Sequence, residues 1–266
     1  MWTRTPDQAL RLRRLRETAV LFALFVVPGL TSSAGLVQVV GSVAPLLALT
    51  LRNGAFALLI LYLLDIQGDR TLIAGVPDIT AAPDVRKTVS GDDSPRTVPP
   101  GDATAMPQTS PTRRGAVIAT TVLVWAILLG TSLAVSAVTA AFGFDSARGA
   151  SGEILRSLAA SSHPAVWIPV VIAAMVSVGI VEELFFRAYL VARLRQTGAS
   201  PRVAVGVAAL LFSVGHGYQG PSALVFSFIA GAGLGLLWLK RPRLSGFAAG
   251  HAAYNLTALV LAAWYT

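Results

Sequence analysis

The 266-residue chain contains no cysteine. That excludes disulfides, thiolate nucleophiles and every cysteine-based zinc site. Lysine is nearly missing: Lys87 and Lys240 are the only two among 21 basic residues. Charge of either sign is scarce, at 13% of residues, about half of what a soluble domain carries. No phosphate-binding Gly-rich loop and no dinucleotide fingerprint occurs. What is plentiful is apolar: 54% of the chain is hydrophobic, and mean hydropathy is +0.66. Several apolar runs approach or exceed the ~20 residues that a helix needs to cross a bilayer. The net charge of +8 does not indicate nucleic acid, because the bases gather at the ends of apolar runs.

These runs predict an all-α, polytopic membrane bundle of about seven transmembrane helices, near 18–40, 43–65, 115–142, 164–192, 202–217, 221–239 and 244–265. The second is the weakest, since it carries Arg52 and Asn53, and a re-entrant segment within 18–65 is the alternative. The arm "RLRRLRE" before the first run reads as the flank of a retained anchor rather than of a cleaved signal peptide. Residues 66–114 hold seven prolines and few large apolar side chains. Such a stretch cannot bury enough surface to offset its chain entropy. The chain therefore divides into an N-terminal membrane part (1–66), a Pro-rich disordered cytoplasmic linker (67–114) and a membrane core (115–266).

Arginine placement orients the bundle. Lys and Arg number five in 1–17, six in 66–114, three in 193–202 and three in 240–243. With seven spans these segments fall on one side, while 143–163 holds only Arg148 and Arg156. The positive-inside rule places the N-terminus in the cytoplasm.

Against this background the ionisable residues within the later spans stand out. "IVEELFFRAYL" (180–190) sets Glu182 beside Glu183, with Arg187 on the same predicted helix. Glu183 and Arg187 are four apart, with the acid first, and can neutralise each other. Glu182 is turned by about 100° from Glu183 and has no local partner. The fifth span ends "FSVGH", with Phe212 four before His216. The seventh holds "HAAYN", with His251 and Asn255 on one face. At ~1.5 Å per residue, Glu182 lies about 16 Å in from Arg193, His251 about 12 Å in from Arg243 and His216 about 21 Å in from Arg202. All three depths fall mid-membrane, so one cluster is permitted. His163, before Pro164 at a span start, reads as interfacial.

Any one buried histidine is explained by helix packing. The set is not, because intramembrane charge is costly and marks function. A carboxylate, two imidazoles and an amide suit hydrolysis by activated water: the carboxylate takes the proton, an imidazole orients the water, and an amide N–H meets an oxyanion. The same groups also suit zinc, with Glu182, His216 and His251 as ligands and water as the fourth. An HExxH arrangement is absent, and the reading adopted has no cofactor.

"EELFFR" (182–187), "FSVGH" (212–216) and "HAAYN" (251–255) resemble, in order, the EExxxR, FxxxH and HxxxN motifs of the CPBP family, which joins type II CAAX prenyl endopeptidases with bacteriocin-processing and immunity relatives. The resemblance covers about 115–266. It implies an intramembrane glutamic endopeptidase in which Glu182 is the general base, His216 positions the water, and His251 and Asn255 bind the substrate carbonyl and its oxyanion. Glu183, Arg187 and Phe212 support them. The composition, rich in Ala, Val and Arg, fits a bacterial cell membrane. A membrane-associated peptide or protein is the expected substrate, with the lipid bilayer as the other partner and no nucleic acid. The alternatives are a non-catalytic scaffold, an immunity protein that binds a peptide, or a transporter; a transporter would carry inverted repeats, which are not found. The catalytic reading requires the four residues to converge on one polar cavity among the last four spans, open to the cytoplasm or to lipid.

Overall fold

The computed structural model describes residues 6–36, 43–74, 111–142 and 164–264. All the regular structure there is helical. α1 is Pro6–Leu36, α2 Ala44–Ile66, α3 the single turn Thr71–Ala74, and α4 Pro111–Ala141. α5, Pro164–Glu182, continues without a break through a π-helical segment, Glu183–Leu190, into α6, Val191–Gln196. α7 is Pro201–Gly215, α8 Pro221–Lys240 and α9 Leu244–Trp264.

The starts are locally encoded. Pro201 opens α7 after Ser200, whose hydroxyl accepts from the Val203 N–H at 3.4 Å. Pro221 opens α8 after Gly220, which holds φ 100°. Proline suits the first turn because its missing N–H would have no intrahelical partner there.

Among the described residues four helices are long and apolar enough to cross a membrane: 44–66, 114–141, 165–196 and 221–240. The expected span at 43–65 is thus a continuous helix, and Arg52 and Asn53 do not break it. The expected span at 202–217 is a shorter apolar helix of 15 residues, about 22 Å long, followed by a 3-10 turn at Gly217–Gln219. It is too short to cross ~30 Å of hydrocarbon alone. Of the expected spans at 18–40 and 244–265, residues 18–36 lie on α1 and 244–264 on α9, and the rest lie outside the described residues. Most of the expected linker (75–110), the connection 143–163 and His163 within it lie outside the described residues.

Residue placement follows a multi-pass membrane protein. Large apolar side chains such as Leu51, Leu58, Ile118 and Tyr62 face outward, while Glu183, Arg187 and Arg193 are buried. Burial of charge inside the bundle with apolar groups outside is the arrangement lipid demands. The α5–π–α6 rod runs through the middle. α2 and α9 pack on α5, α4 packs on α9 and α8, and α7 packs on α8. Every residue of the π segment is buried.

Small residues set these distances. A Cβ on Gly179 would lie 2.9 Å from the Ala252 backbone nitrogen, so α5 and α9 touch backbone to backbone just before the paired glutamates. Gly246 and Gly250 bring α9 against Thr120, Thr121 and Val124 of α4. Gly231 and Gly235 do the same for α8 against Ala209, Phe212 and Val205 of α7. Both pairs are four apart, the spacing by which small residues let membrane helices approach.

Candidate functional site

The site is assembled on the π segment. Its 8 residues begin at Glu183, so Glu182 is the last α-helical residue and Glu183 the first π-helical one. π-helical turns inside α-helices are rare and concentrate at functional sites. The change of pitch falls between the two carboxylates, and both reach the same histidine.

His251 of α9 stands between them. Its Nδ1 donates to Glu183 Oε1 at 2.7 Å, and its Nε2 lies 3.5 Å from Glu182 Oε2. The carboxylate on Nδ1 places the proton there, so in the neutral ring Nε2 is a lone pair facing Glu182. His216, at the end of α7, shows the same pattern. Its Nδ1 is 2.8 Å from the Phe212 carbonyl, which can only accept, so Nδ1 carries the proton. Its Nε2 lies 3.9 Å from Glu182 Oε1.

Two ring nitrogens and one carboxylate thus face a common space. The gaps of 3.5 and 3.9 Å exceed direct hydrogen-bond length, so neither ring nitrogen is bonded to Glu182. Glu182 Oε2 has no hydrogen-bond partner among the described residues. The more open edge lies toward His216, whose side chain is 19% exposed against 6% for His251. Two surface cavities lie away from these residues, one lined by Leu10, Arg13, Arg14, Glu17, Ile66 and Gln67 and one between α7 and α8 near Arg202 and Lys240.

Glu183 has a second neighbour. Arg187 Nε is 3.2 Å from Glu183 Oε2, both side chains being fully buried. This is the ion pair that four-residue spacing predicts, and it survives the change to π geometry. The guanidinium also lies over the Phe212 ring, 4.5 Å from its centroid. A buried arginine gains from a ring face in this way where water is absent. Phe212 in turn lies 4.5 Å from the His216 ring and 4.9 Å from Phe186. One phenyl group therefore props both Arg187 and His216, which explains its place four residues before the histidine.

Asn255 lies one turn beyond His251 on α9. Its Nδ2 donates to the Met175 carbonyl of α5 at 3.4 Å. Among the described residues it makes no hydrogen bond to the other three expected catalytic side chains. Glu182, His216 and His251 come together; Asn255 borders them.

Sequence reasoning missed three features. The Glu183–His251 bond joins residues 68 apart and has no local signature. The π segment leaves no trace in hydrophobic periodicity. Gly179 and the pairs 231/235 and 246/250 position the helices, and the four-residue spacing of the pairs was a legible signal. For a metal ion, the described residues contain no group of three or more His, Cys, Asp and Glu arranged to hold one.

Residues 164–257 match the family model described as Type II CAAX prenyl endopeptidase Rce1-like. This stretch contains all three motifs and every residue of the site just described, so the match bears out the resemblance over the part of the chain that carries it. It points to a membrane protease of the CAAX type. Neither the curated proteins nor the solved structures compared give a match.

Proposed function

Starting from that match over residues 164–257, we propose that the chain is an intramembrane endopeptidase that cuts a peptide bond of a membrane-associated peptide or protein with a water activated by Glu182. The observation that supports this best is the arrangement around Glu182: its Oε1 faces the Nε2 of His216 at 3.9 Å and its Oε2, which has no hydrogen-bond partner, faces the Nε2 of His251 at 3.5 Å.

In this reading a water sits between Glu182, His216 and His251. It donates one hydrogen to Glu182 and the other to His216 Nε2, which aims its oxygen lone pair at the substrate carbonyl. As the C–O bond forms, the first proton passes to Glu182 and the carbonyl oxygen takes up the negative charge. Collapse breaks the C–N bond. The proton on Glu182 goes to the leaving nitrogen, giving a new carboxyl group and a new amine.

Glu183 acts through His251. By accepting from Nδ1 it fixes the ring's tautomer and orientation, the role a buried carboxylate plays behind many catalytic histidines. Arg187 and Phe212 hold Glu183 and His216 in place. Asn255 has a second amide N–H beyond the one donated to Met175, and this group is assigned to the oxyanion. The lower end of the rod, with the arginines of α1 and α6, is assigned to the cytoplasmic side, and the chain to a bacterial cell membrane.

The test is to incubate the purified chain in proteoliposomes with membrane-bound peptides and read the products by mass spectrometry. New peptide termini that depend on the protein are expected. Tight binding of a peptide that is never cut would favour the scaffold reading instead.

A further inference from the structure

The π segment is anchored at two ends, and only one of them is the hydrolytic site. Eight consecutive π-helical residues exceed the single-turn insertions in which this geometry usually occurs, so neighbouring contacts must hold it. At Glu183 those contacts are His251 and Arg187. At the other end, Tyr189 and Arg193 carry a polar network that the hydrolytic chemistry does not use. It reaches α1 and the connection after α2, both outside the family-matched residues 164–257.

Arg193 is the hub of this network and is 1% exposed. Its Nη1 donates to Asp69 Oδ2 at 2.5 Å and to Gln196 Oε1 at 2.8 Å, and its Nη2 donates to Gln67 Oε1 at 2.5 Å. Glu17 Oε1 of α1 lies 3.8 Å from Nη2 and accepts the Tyr189 hydroxyl at 2.6 Å, while Glu17 Oε2 accepts from Gln67 Nε2 at 2.8 Å. The Arg193 guanidinium stands 5.1 Å from the Tyr189 ring centroid. Tyr189 is fully buried and stacks on Phe185 at 5.9 Å. Phe185 in turn meets Phe25 of α1 and Phe56 of α2, each at 5.6 Å. One buried cation thus ties an acid of α1 and an acid beyond α2 to the last turn of the π segment. A buried ion with several partners keeps one geometry, because losing a partner leaves charge uncompensated.

We propose that Arg193 is a positioning residue: by clamping the far end of the π segment to α1 and to the end of α2, it keeps Glu183, and with it His251, in register with Glu182. Its effect on cleavage rests on the endopeptidase reading above; its effect on the Glu183–His251 bond does not. Closing an i→i+5 turn to i→i+4 takes one residue out of that turn and rotates the chain beyond it by about 100°. With both ends fixed, the segment cannot wind down in this way. With the Arg193 end released it can, and Glu183 Oε1 then leaves its 2.7 Å bond to His251 Nδ1.

The bond itself gives the readout. The chain has three histidines, so in a protein labelled with 15N-histidine the His251 Nδ1–H signal is assigned by its loss in His251→Gln. NMR in detergent micelles follows that signal, and kcat and KM are measured on the same proteins in proteoliposomes. Arg193→Met is expected to shift or broaden the signal and to lower kcat at least about ten-fold with KM unchanged. Arg193→Lys, which keeps the cation, should restore part of both. If Arg193→Met does not fold, Asp69→Asn decides: it leaves Arg193 with Glu17 and the two amides, and should move the same signal with a smaller fall in kcat. An unmoved signal in the folded variant overturns the proposal, even with a lower melting temperature, since Arg193 would then serve stability alone. A moved signal with kcat unchanged, or equal damage from Arg193→Lys and Arg193→Met, also overturns it. If the unsubstituted chain cuts nothing while the signal moves as expected, the endopeptidase reading falls and the clamp stands.

Discussion

Glu183 and His251 are joined by a 2.7 Å hydrogen bond between helices 68 residues apart in sequence, inside the membrane core. This bond makes the two adjacent glutamates unequal. Glu183 is hydrogen-bonded to His251 through Oε1 and has the Arg187 cation 3.2 Å from Oε2, whereas among the described residues no arginine or lysine pairs with Glu182, which faces the two rings at 3.5 and 3.9 Å. A carboxylate paired with a cation is a poor base, and one without such a partner beside two imidazoles is a good one.

Breaking the buried pair should separate folding from chemistry. Glu183→Gln leaves Arg187 buried without a counter-charge, a change that typically costs ~3–5 kcal/mol. The double variant Glu183→Gln/Arg187→Met removes both charges and should recover most of the lost melting temperature. Cleavage should stay low in the double variant, because His251 has still lost the carboxylate that orients it. Recovery of activity together with stability would show that Glu183 serves folding alone.

The glycine contact between α5 and α9 predicts a strong effect from one methyl group. Gly179→Ala places a Cβ 2.9 Å from the Ala252 nitrogen, so the helices must part and His251 must move from both glutamates. Gly54→Ala, on α2, meets nothing within 4 Å. A loss of ~10-fold or more in cleavage is expected for the first and almost none for the second, since a displacement of ~1 Å at a site of this kind costs that much. Equal activity of the two variants would mean that the close approach does not position the site.

Exhaustive chelation should leave cleavage unchanged, because the proposed water is activated by Glu182 and oriented by imidazole. The measurement is activity after dialysis against a chelator, with elemental analysis of the same sample. Stoichiometric zinc whose removal abolishes cleavage and whose return restores it would replace this mechanism with one in which Glu182, His216 and His251 are ligands.

Much of this was legible before the fold was known. Spacing alone gave the Glu183–Arg187 pair and put His251 and Asn255 on one face, because helical periodicity is local. The similar depths of Glu182, His216 and His251 allowed a cluster, and the structure brings these three within 4 Å contacts of one another through Glu182. What spacing could not give is rotation about each helix axis. It therefore missed the second role of Glu183 and assigned Asn255 to the same cluster, whereas its amide meets the Met175 carbonyl. The shortness of α7 was also hidden: the apolar pattern runs on through Gly217, but the helix stops at Gly215 and a 3-10 turn follows. The polar network at the far end of the rod, where Arg193 is held by Asp69 and Gln67, joins residues too distant in sequence for any pattern to pair.

The most direct measurement is the cleavage rate of Glu182→Gln against the unsubstituted chain, in proteoliposomes under single-turnover conditions, with melting temperature read in parallel. Gln keeps the shape of the side chain and removes its ability to take a proton. A rate at least ~100-fold lower, with melting unchanged, is the predicted result. A Glu182→Gln protein that cuts as fast as the unsubstituted chain would contradict Glu182 as the base.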